Sequence, residues 1–211
     1  MARRLVPITL DNLDDVPAPC RSCAFWERGT RVADQPAKDD WVASVLLEWG
    51  RCGRLLYVDG AVAGFALYAP SRFVAASPAL ATPRPSPDAV VVMTARILPE
   101  YSHSGLGRVL MQSVVKDGVR RRGVRALEAY GDLRGVDLGC VIPAGFLTAV
   151  GFKTVRPHPR YPLLRLEMRS VLSWPGEMEL AVEKWLGQLR PDGAPVGAVP
   201  GQSPRAGSTR A

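Results

Sequence analysis

Residues 88–122 read DAVVVMTARILPEYSHSGLGRVLMQSVVKDGVRRR, and the reading of this stretch decides the fold. Ala89, Val90, Val91, Val92 and Met93 form an apolar, β-branched run too short for a helix, so they predict a strand. Pro99 ends regular pairing, and the chain turns through Tyr101-Ser102-His103-Ser104-Gly105-Leu106-Gly107. From Gly105 onward the period becomes helical, with Leu106, Val109, Leu110, Val114 and Val119 on one face. Arg120, Arg121 and Arg122 are expected in the last turn, where cations complement the helix dipole, with Gly123 as the C′ stop. Strand, glycine turn and helix follow one another without a gap. The start of such a helix offers unpaired N–H groups and the positive dipole end, which together suit an anion.

Three nucleotide- or cofactor-binding patterns compete for that turn. A dinucleotide fingerprint needs a third glycine, and position 110 holds Leu110; a P-loop needs Lys after the last glycine, and Arg108 follows Gly107. The segment instead resembles motif A of the GNAT acyltransferases, in which Arg/Gln-x-x-Gly-x-Gly/Ala follows a strand and a Pro-Glu-Tyr-like turn. Ile97-Leu98-Pro99-Glu100-Tyr101 matches the lead-in and Gly105-x-Gly107 the core, while Ser102 stands where the family usually has Arg or Gln. On the turn alone, glycines that serve only packing remain an alternative.

Outward from this centre, the N-terminal half predicts a strand at residues 4–10, with Pro7 confining it to an edge, then cap chemistry in Asp11-Asn12-Leu13-Asp14-Asp15. A short helix is expected over Cys20–Glu27, and a longer one from Pro36 to Trp49, closed by Gly50. Residues 54–58 and 62–68 flank Asp59-Gly60, a strong hairpin signal. The proline-rich residues 70–87 read as a surface connection.

After the central helix, residues 125–130 predict a strand parallel to the first, making a β-α-β unit. A glycine-bearing loop, a short helix over 142–150 closed by Gly151, and strands at 152–155 and 163–168 complete the pattern. The phrase Phe146-Leu147-x-x-Val150-Gly151-Phe152 is similar to the GNAT closing phrase Leu-Tyr-x-x-Leu-Gly-Phe. The resemblance therefore implies an α/β fold (α+β, mixed and mostly antiparallel sheet) with a central β-α-β and a splayed strand pair. The resemblance covers about residues 4–170, within one domain of residues 1–170. Residues 171–190 contain an amphipathic helical pattern, and residues 191–211, rich in Gly, Pro, Ala, Ser and Arg, are expected to be disordered.

Composition narrows the partners. Of 211 residues, 47% are hydrophobic and 22% charged, as in a soluble globular protein, and no run of eighteen apolar residues predicts a membrane span. MARRLVPITL lacks a signal-peptide core, so the expected location is cytoplasmic. The net charge of +7 is carried mostly by scattered arginines without an aromatic stacking platform, so no nucleic acid partner is expected. The expected assembly is a monomer or a homodimer.

Four cysteines sit at 20, 23, 52 and 140. Cys20-Arg21-Ser22-Cys23 has metal or redox spacing, but no second pair at ligand spacing exists, so no metal site is expected. The leading reading is two small buried apolar groups, with metal and redox roles left open.

The resemblance also implies chemistry: transfer of an acetyl group from acetyl-CoA, as acyl donor, to a small-molecule or protein amine. In that family the pyrophosphate lies on the turn, here the N–H groups of Ser102, His103, Ser104, Gly105, Leu106, Gly107 and Arg108, with Ser104 as an extra hydroxyl donor. The pantetheine arm pairs with main chain near Ala95 and Ile97. Glu128 on the following strand is the implied base, weighed against an ordinary ion-paired strand residue. The family's tyrosine position holds Leu147, leaving Tyr130, Tyr161 and Cys140 as substitute acids; Cys140 at a helix start is also a candidate reactive thiol. His103 suits a cofactor contact, and His158 either an acceptor contact or an exposed loop residue. An acyl-CoA-binding module without catalysis is the alternative function.

Overall fold

The structure is a computed structural model that describes residues 2–29, 32–75, 80, 84–134 and 140–169. The eight-stranded sheet contains β1 (Arg3–Pro7), β2 (Gly53–Val58), β3 (Ala61–Pro70), β4 (Ala89–Ile97), β5 (Ala126–Asp132), β6 (Ile142–Pro143), β7 (Lys153–Arg156) and β8 (Leu163–Glu167). Their order is β1-β2-β3-β4-β5-β8-β7, with β6 beside β5. All neighbours are antiparallel except β4–β5 and β5–β6. The helices are α1 (Phe25–Arg28), α2 (Gln35–Trp49), α3 (Leu106–Val119) and α4 (Ala144–Ala149). The mixed sheet, its central β-α-β unit and the element order agree with the sequence reading.

Strand alternation sorts the core into two layers. On one face Leu55, Phe65, Leu67, Val91, Met93 and Tyr130 pack against Phe25, Trp26, Trp41, Val42 and Val45 of α1 and α2. On the other, Leu56, Tyr68, Val90, Val92, Leu127 and Ala129 meet Leu106, Leu110, Met111 and Val114 of α3 and Leu147 of α4. Two charged clusters pin helices to this scaffold. Arg54 of β2 forks onto Asp117 of α3 at 2.6 and 2.9 Å, and the Tyr68 hydroxyl donates to the same carboxylate at 2.6 Å. Lys38 of α2 and Glu27 of α1 form an ion pair in which each side chain is only 2% exposed.

The hairpin turn is as read, with φ of 48° at Asp59 and 87° at Gly60, the mirror-image turn that matches strand twist. Gly50 closes α2 in the left-handed conformation. Several boundaries differ. β4 runs four residues past Met93, to Ile97, because β3 supplies partners along that length. The segment after Asp11 makes only a single 3-10 turn, Leu13–Asp15. Residues 142–143 are strand rather than helix, with Pro143 capping α4.

The end of α3 also differs. The helix stops at Val119, so Arg120–Arg122 lie beyond it and Gly123 (φ 83°) bends the following turn rather than capping the helix. Arg121 is drawn away, donating to the Trp49 carbonyl at 2.6 Å and lying 4.6 Å over the Trp49 ring. The expected helix in 171–190 and disordered segment in 191–211 lie outside the described residues. No described helix is long and apolar enough to cross a membrane.

Candidate active site

Strands β4 and β5 are paired over only three positions, Ala89↔Ala126, Val90↔Leu127 and Val91↔Glu128. Beyond Val91 they separate. A bulge explains where: the β3–β4 register jumps from Leu67↔Thr94 to Tyr68↔Val92, leaving one extra residue, Met93, on β4. Leu98 donates its N–H to Ala63, so alternation sends the main-chain groups of Arg96 toward β3 as well. The N–H and C=O of Ala95 and Ile97 therefore face the opened side, as a strand edge without a partner.

That edge leads into the turn before α3. Gly105 caps the helix with φ of 77°, and His103 also has positive φ, at 58°. Such conformations bring successive N–H groups together around an anion. From His103 to Gly107, five consecutive backbone N–H groups have no backbone carbonyl partner among the described residues; the first helical donors, Arg108 and Val109, both bond to the Gly105 carbonyl. A β-carbon on Gly105 would meet nothing within 4 Å, whereas one on Gly107 would lie 3.1 Å from the Phe146 ring. The Ser104 hydroxyl, expected as a further donor, instead gives its proton to the Tyr101 carbonyl and braces the turn.

Edge and turn form one side of a groove of about 620 Å³. It is lined by Ala95, Arg96 and Ile97 of β4, by residues 101–108 of the turn and early α3, and by Leu110, Pro143, Phe146, Ala149 and Val150. Every residue expected at the cofactor turn thus borders a single groove. The groove suits a long ligand with an anionic part and an amide-bearing part: unpaired N–H groups at one end, a bare strand edge at the other.

The residues expected to catalyse lie elsewhere. Glu128 marks the last paired position of the splay, yet it is fully buried. Its Oε1 accepts from the Ser86 hydroxyl at 2.8 Å and from Arg165 at 2.8 Å, and its Oε2 accepts from the Ser86 N–H at 2.7 Å. Arg165 also forks onto Asp88 at 3.0 and 3.1 Å, and Asp88 is held below the usual carboxylate range by that hydrogen bond, against the opposing effect of burial. Such a carboxylate is an ion-pair partner, the reading weighed against the base.

Tyr130 shares its face, as the alternation implied, but is 1% exposed and stacked on Trp26 at 6.0 Å. Cys140 accepts from the Trp26 indole through its carbonyl at 3.1 Å, and its sulfur lies 3.7 Å from that of Cys23. It does not start a helix, since α4 begins four residues later. Leu147 is fully buried beneath α3. His158 uses Nδ1 to accept the N–H groups of Arg160 and Tyr161, at 3.1 and 2.8 Å, and its ring stacks on Tyr161. That is a loop brace.

Arg96 was missed by sequence reasoning. It lines the groove from β4, and its positive charge favours the Cys20 thiolate, although burial, the larger effect, raises the pKa of that thiol. Among the described residues, no group of three or more His, Cys, Asp or Glu side chains is placed to hold a metal ion.

No family model matches the sequence, and no curated protein matches it either. Solved structures do. The yncA protein from Salmonella typhimurium, determined with its cofactor acetyl-CoA, superposes with a TM-score of 0.55 at 14% identity, over 80% of this chain and 95% of that one. The fold is that of the GNAT acetyltransferases. An aminoglycoside acetyltransferase in complex with coenzyme A gives a TM-score of 0.55 at 12% identity, over 81% of this chain and 97% of that one. The loading GNATL domain of CurA from Lyngbya majuscula gives 0.51 at 13%, over 80% and 98%. The GNAT fold thus accounts for nearly the whole length of each relative and for the described part of this chain.

Proposed function

We propose that the protein transfers the acetyl group of acetyl-CoA to the nitrogen of an amine acceptor. One observation carries the reading: the bare β4 edge runs directly into a turn with five N–H groups lacking carbonyl partners, along one groove. Coenzyme A has the matching parts in the matching order, since its pyrophosphate is an anion and its pantetheine arm carries amides. Relatives with this fold were determined with coenzyme A or acetyl-CoA, which supports the same choice of donor.

Within this reading the roles follow from the groups present. The N–H groups of His103 to Gly107 hold the pyrophosphate, and the absent side chain at Gly107 lets the backbone approach it. Ala95 and Ile97 pair with the pantetheine amides as a neighbouring strand would, which orients the arm along the splay. Bound acetyl-CoA supplies an activated thioester. Attack by a neutral amine forms the C–N bond and breaks the C–S bond, so the amine sheds one proton and the thiolate takes one up. Glu128 is sealed by Ser86 and Arg165 and does not serve that exchange directly.

The sealed Glu128, together with Leu147 at the usual tyrosine position, favours one second reading: a module that binds acyl-CoA without turning it over. Two measurements separate the readings. Acetyl-CoA should raise the melting temperature of the wild-type protein in both, whereas release of thiol with a panel of amines is expected only for the transferase. No thermal shift at millimolar acetyl-CoA would remove both.

A further inference from the structure

On the sheet face opposite α3, two cysteines 117 positions apart in sequence bring their sulfurs to 3.7 Å. Cys23 is half-buried and reachable, while Cys140 lies behind it and is 7% exposed. The charged groups around them belong to different elements. Lys38 of α2 and Glu27 of α1 act on Cys23, and Arg96 of β4 with Lys38 act on Cys20. Their effects on the thiols diverge. The hydrogen bond with Cys140, against the opposing effect of burial and aided by the Phe25 N–H and by Lys38, lowers the Cys23 thiol to about 6. Burial drives Cys52 up to about 12, and raises Cys20. A more exposed thiol, its pKa lowered, thus stands 3.7 Å from a second, more buried thiol, while burial raises the pKa of the other two cysteines.

We propose that Cys23 and Cys140 form a reversible dithiol–disulfide site, oxidised by a small peroxide such as hydrogen peroxide. The Cys23 thiolate attacks one peroxide oxygen, forming S–O and breaking O–O, and the departing hydroxide takes up a proton to become water. The Cys140 thiol then attacks the Cys23 sulfur, forming S–S and breaking S–O. A second water leaves with the Cys140 proton. Two thiols are oxidised and one peroxide is reduced to two waters.

Closing the bond brings the sulfurs from 3.7 Å to about 2 Å. Cys140 stands two residues before β6 and four before α4, whose Phe146 and Ala149, with Val150 at its end, line the groove. Oxidation therefore tethers that part of the lining to the α1 segment. This coupling rests on the acetyl-CoA reading of the groove.

The test treats the reduced full-length protein with hydrogen peroxide, counts remaining thiols, and maps disulfides by peptide mass spectrometry before and after dithiothreitol. Expected is the loss of two thiols, a Cys23–Cys140 cross-linked peptide, and full reversal. Cys20→Ser and Cys52→Ser should leave the cross-link intact, while Cys23→Ser and Cys140→Ser each remove it. A cross-link between Cys20 and Cys23, or retention of all thiols in the wild-type protein, would overturn the site without recourse to any variant. Acetyl-CoA affinity is then compared between the two redox forms. A several-fold loss on oxidation, restored by dithiothreitol, is expected; equal affinities would overturn the coupling. Failure of the reduced protein to bind acetyl-CoA at all would instead count against the function proposed for the groove.

Discussion

Glu128 and Arg165 are direct partners across the β5–β8 ladder, and their side chains meet at 2.8 Å with the carboxylate fully buried. The pair sits where β4 and β5 part, so it holds the root of the splay closed while the strands open beyond it. Removing Arg165 would strand the buried Glu128 charge, which typically costs about 3–5 kcal/mol. Glu128→Gln leaves Arg165 its fork to Asp88 and keeps an oxygen for Ser86, so a loss below that range is expected in denaturant unfolding. Acetyl-CoA binding and the pH profile of any turnover should stay as in the wild type. A kcat drop of 10²-fold or more at unchanged stability would make Glu128 a base after all.

The turn before α3 gives a second prediction. Gly105→Ala forces a β-carbon into left-handed backbone, costing about 1–2 kcal/mol, but into open space. Gly107→Val pushes toward the Phe146 ring and the Ile97 side chain, both of which line the groove. The alanine variant should be less stable yet retain an acetyl-CoA thermal shift, and the valine variant should lose most of the shift. The reverse pattern, read by melting curves with and without ligand, would move the anion site off this turn.

Acid stability depends on Asp117. Burial alone would raise its pKa, but hydrogen bonds from Arg54 and Tyr68 outweigh that and lower it from the ordinary value of 3.8. A carboxylate depressed in the folded state contributes stability above its unfolded pKa, and that contribution is lost as pH falls through the lower, folded value. Unfolding free energy should accordingly fall as pH drops below about 4. Asp117→Asn should flatten that part of the curve and lower stability at neutral pH, where Arg54 is left without its counter-charge. Urea unfolding at a series of pH values checks both.

The Lys38–Glu27 pair offers a fourth test. Both side chains are 2% exposed, and Glu27 Oε2 has no hydrogen-bond partner among the described residues. Lys38→Met alone leaves a buried carboxylate without its cation and should cost about 3–5 kcal/mol. Lys38→Met combined with Glu27→Leu should recover most of the loss, since two apolar chains of similar size suit the surrounding core. If the double variant is no more stable than the single, the pair contributes more than charge compensation. Chemical denaturation of the three proteins decides this.

Where a local pattern carries the information, the sequence was readable. The strand–turn–helix at 88–119, the Asp59-Gly60 hairpin and the end of α2 at Gly50 follow from periodicity and glycine placement within short windows. So did the division of β5 into one face carrying Leu127 and Ala129 against α3 and another carrying Tyr130. What escaped depends on partners distant in the chain. Glu128 looked available because Ser86 and Arg165 lie 42 and 37 positions away. Gly123 looked like a helix stop because nothing local reveals that α3 ends at Val119, with Arg121 reaching instead to the Trp49 carbonyl. No spacing rule joins Cys23 to Cys140, 117 positions apart, so their 3.7 Å approach could not be read from the sequence.

One extra residue at Met93 has reach beyond its own strand. The cleft exists because the backbone is offset there, and the groups that line its working surface are amides, which every amino acid carries. Such a surface depends little on which side chains surround it, and Ser102 stands on it where the GNAT pattern usually has Arg or Gln. A protein built this way keeps its architecture recognisable at 12–14% identity to yncA and the aminoglycoside acetyltransferase while no family model matches its sequence.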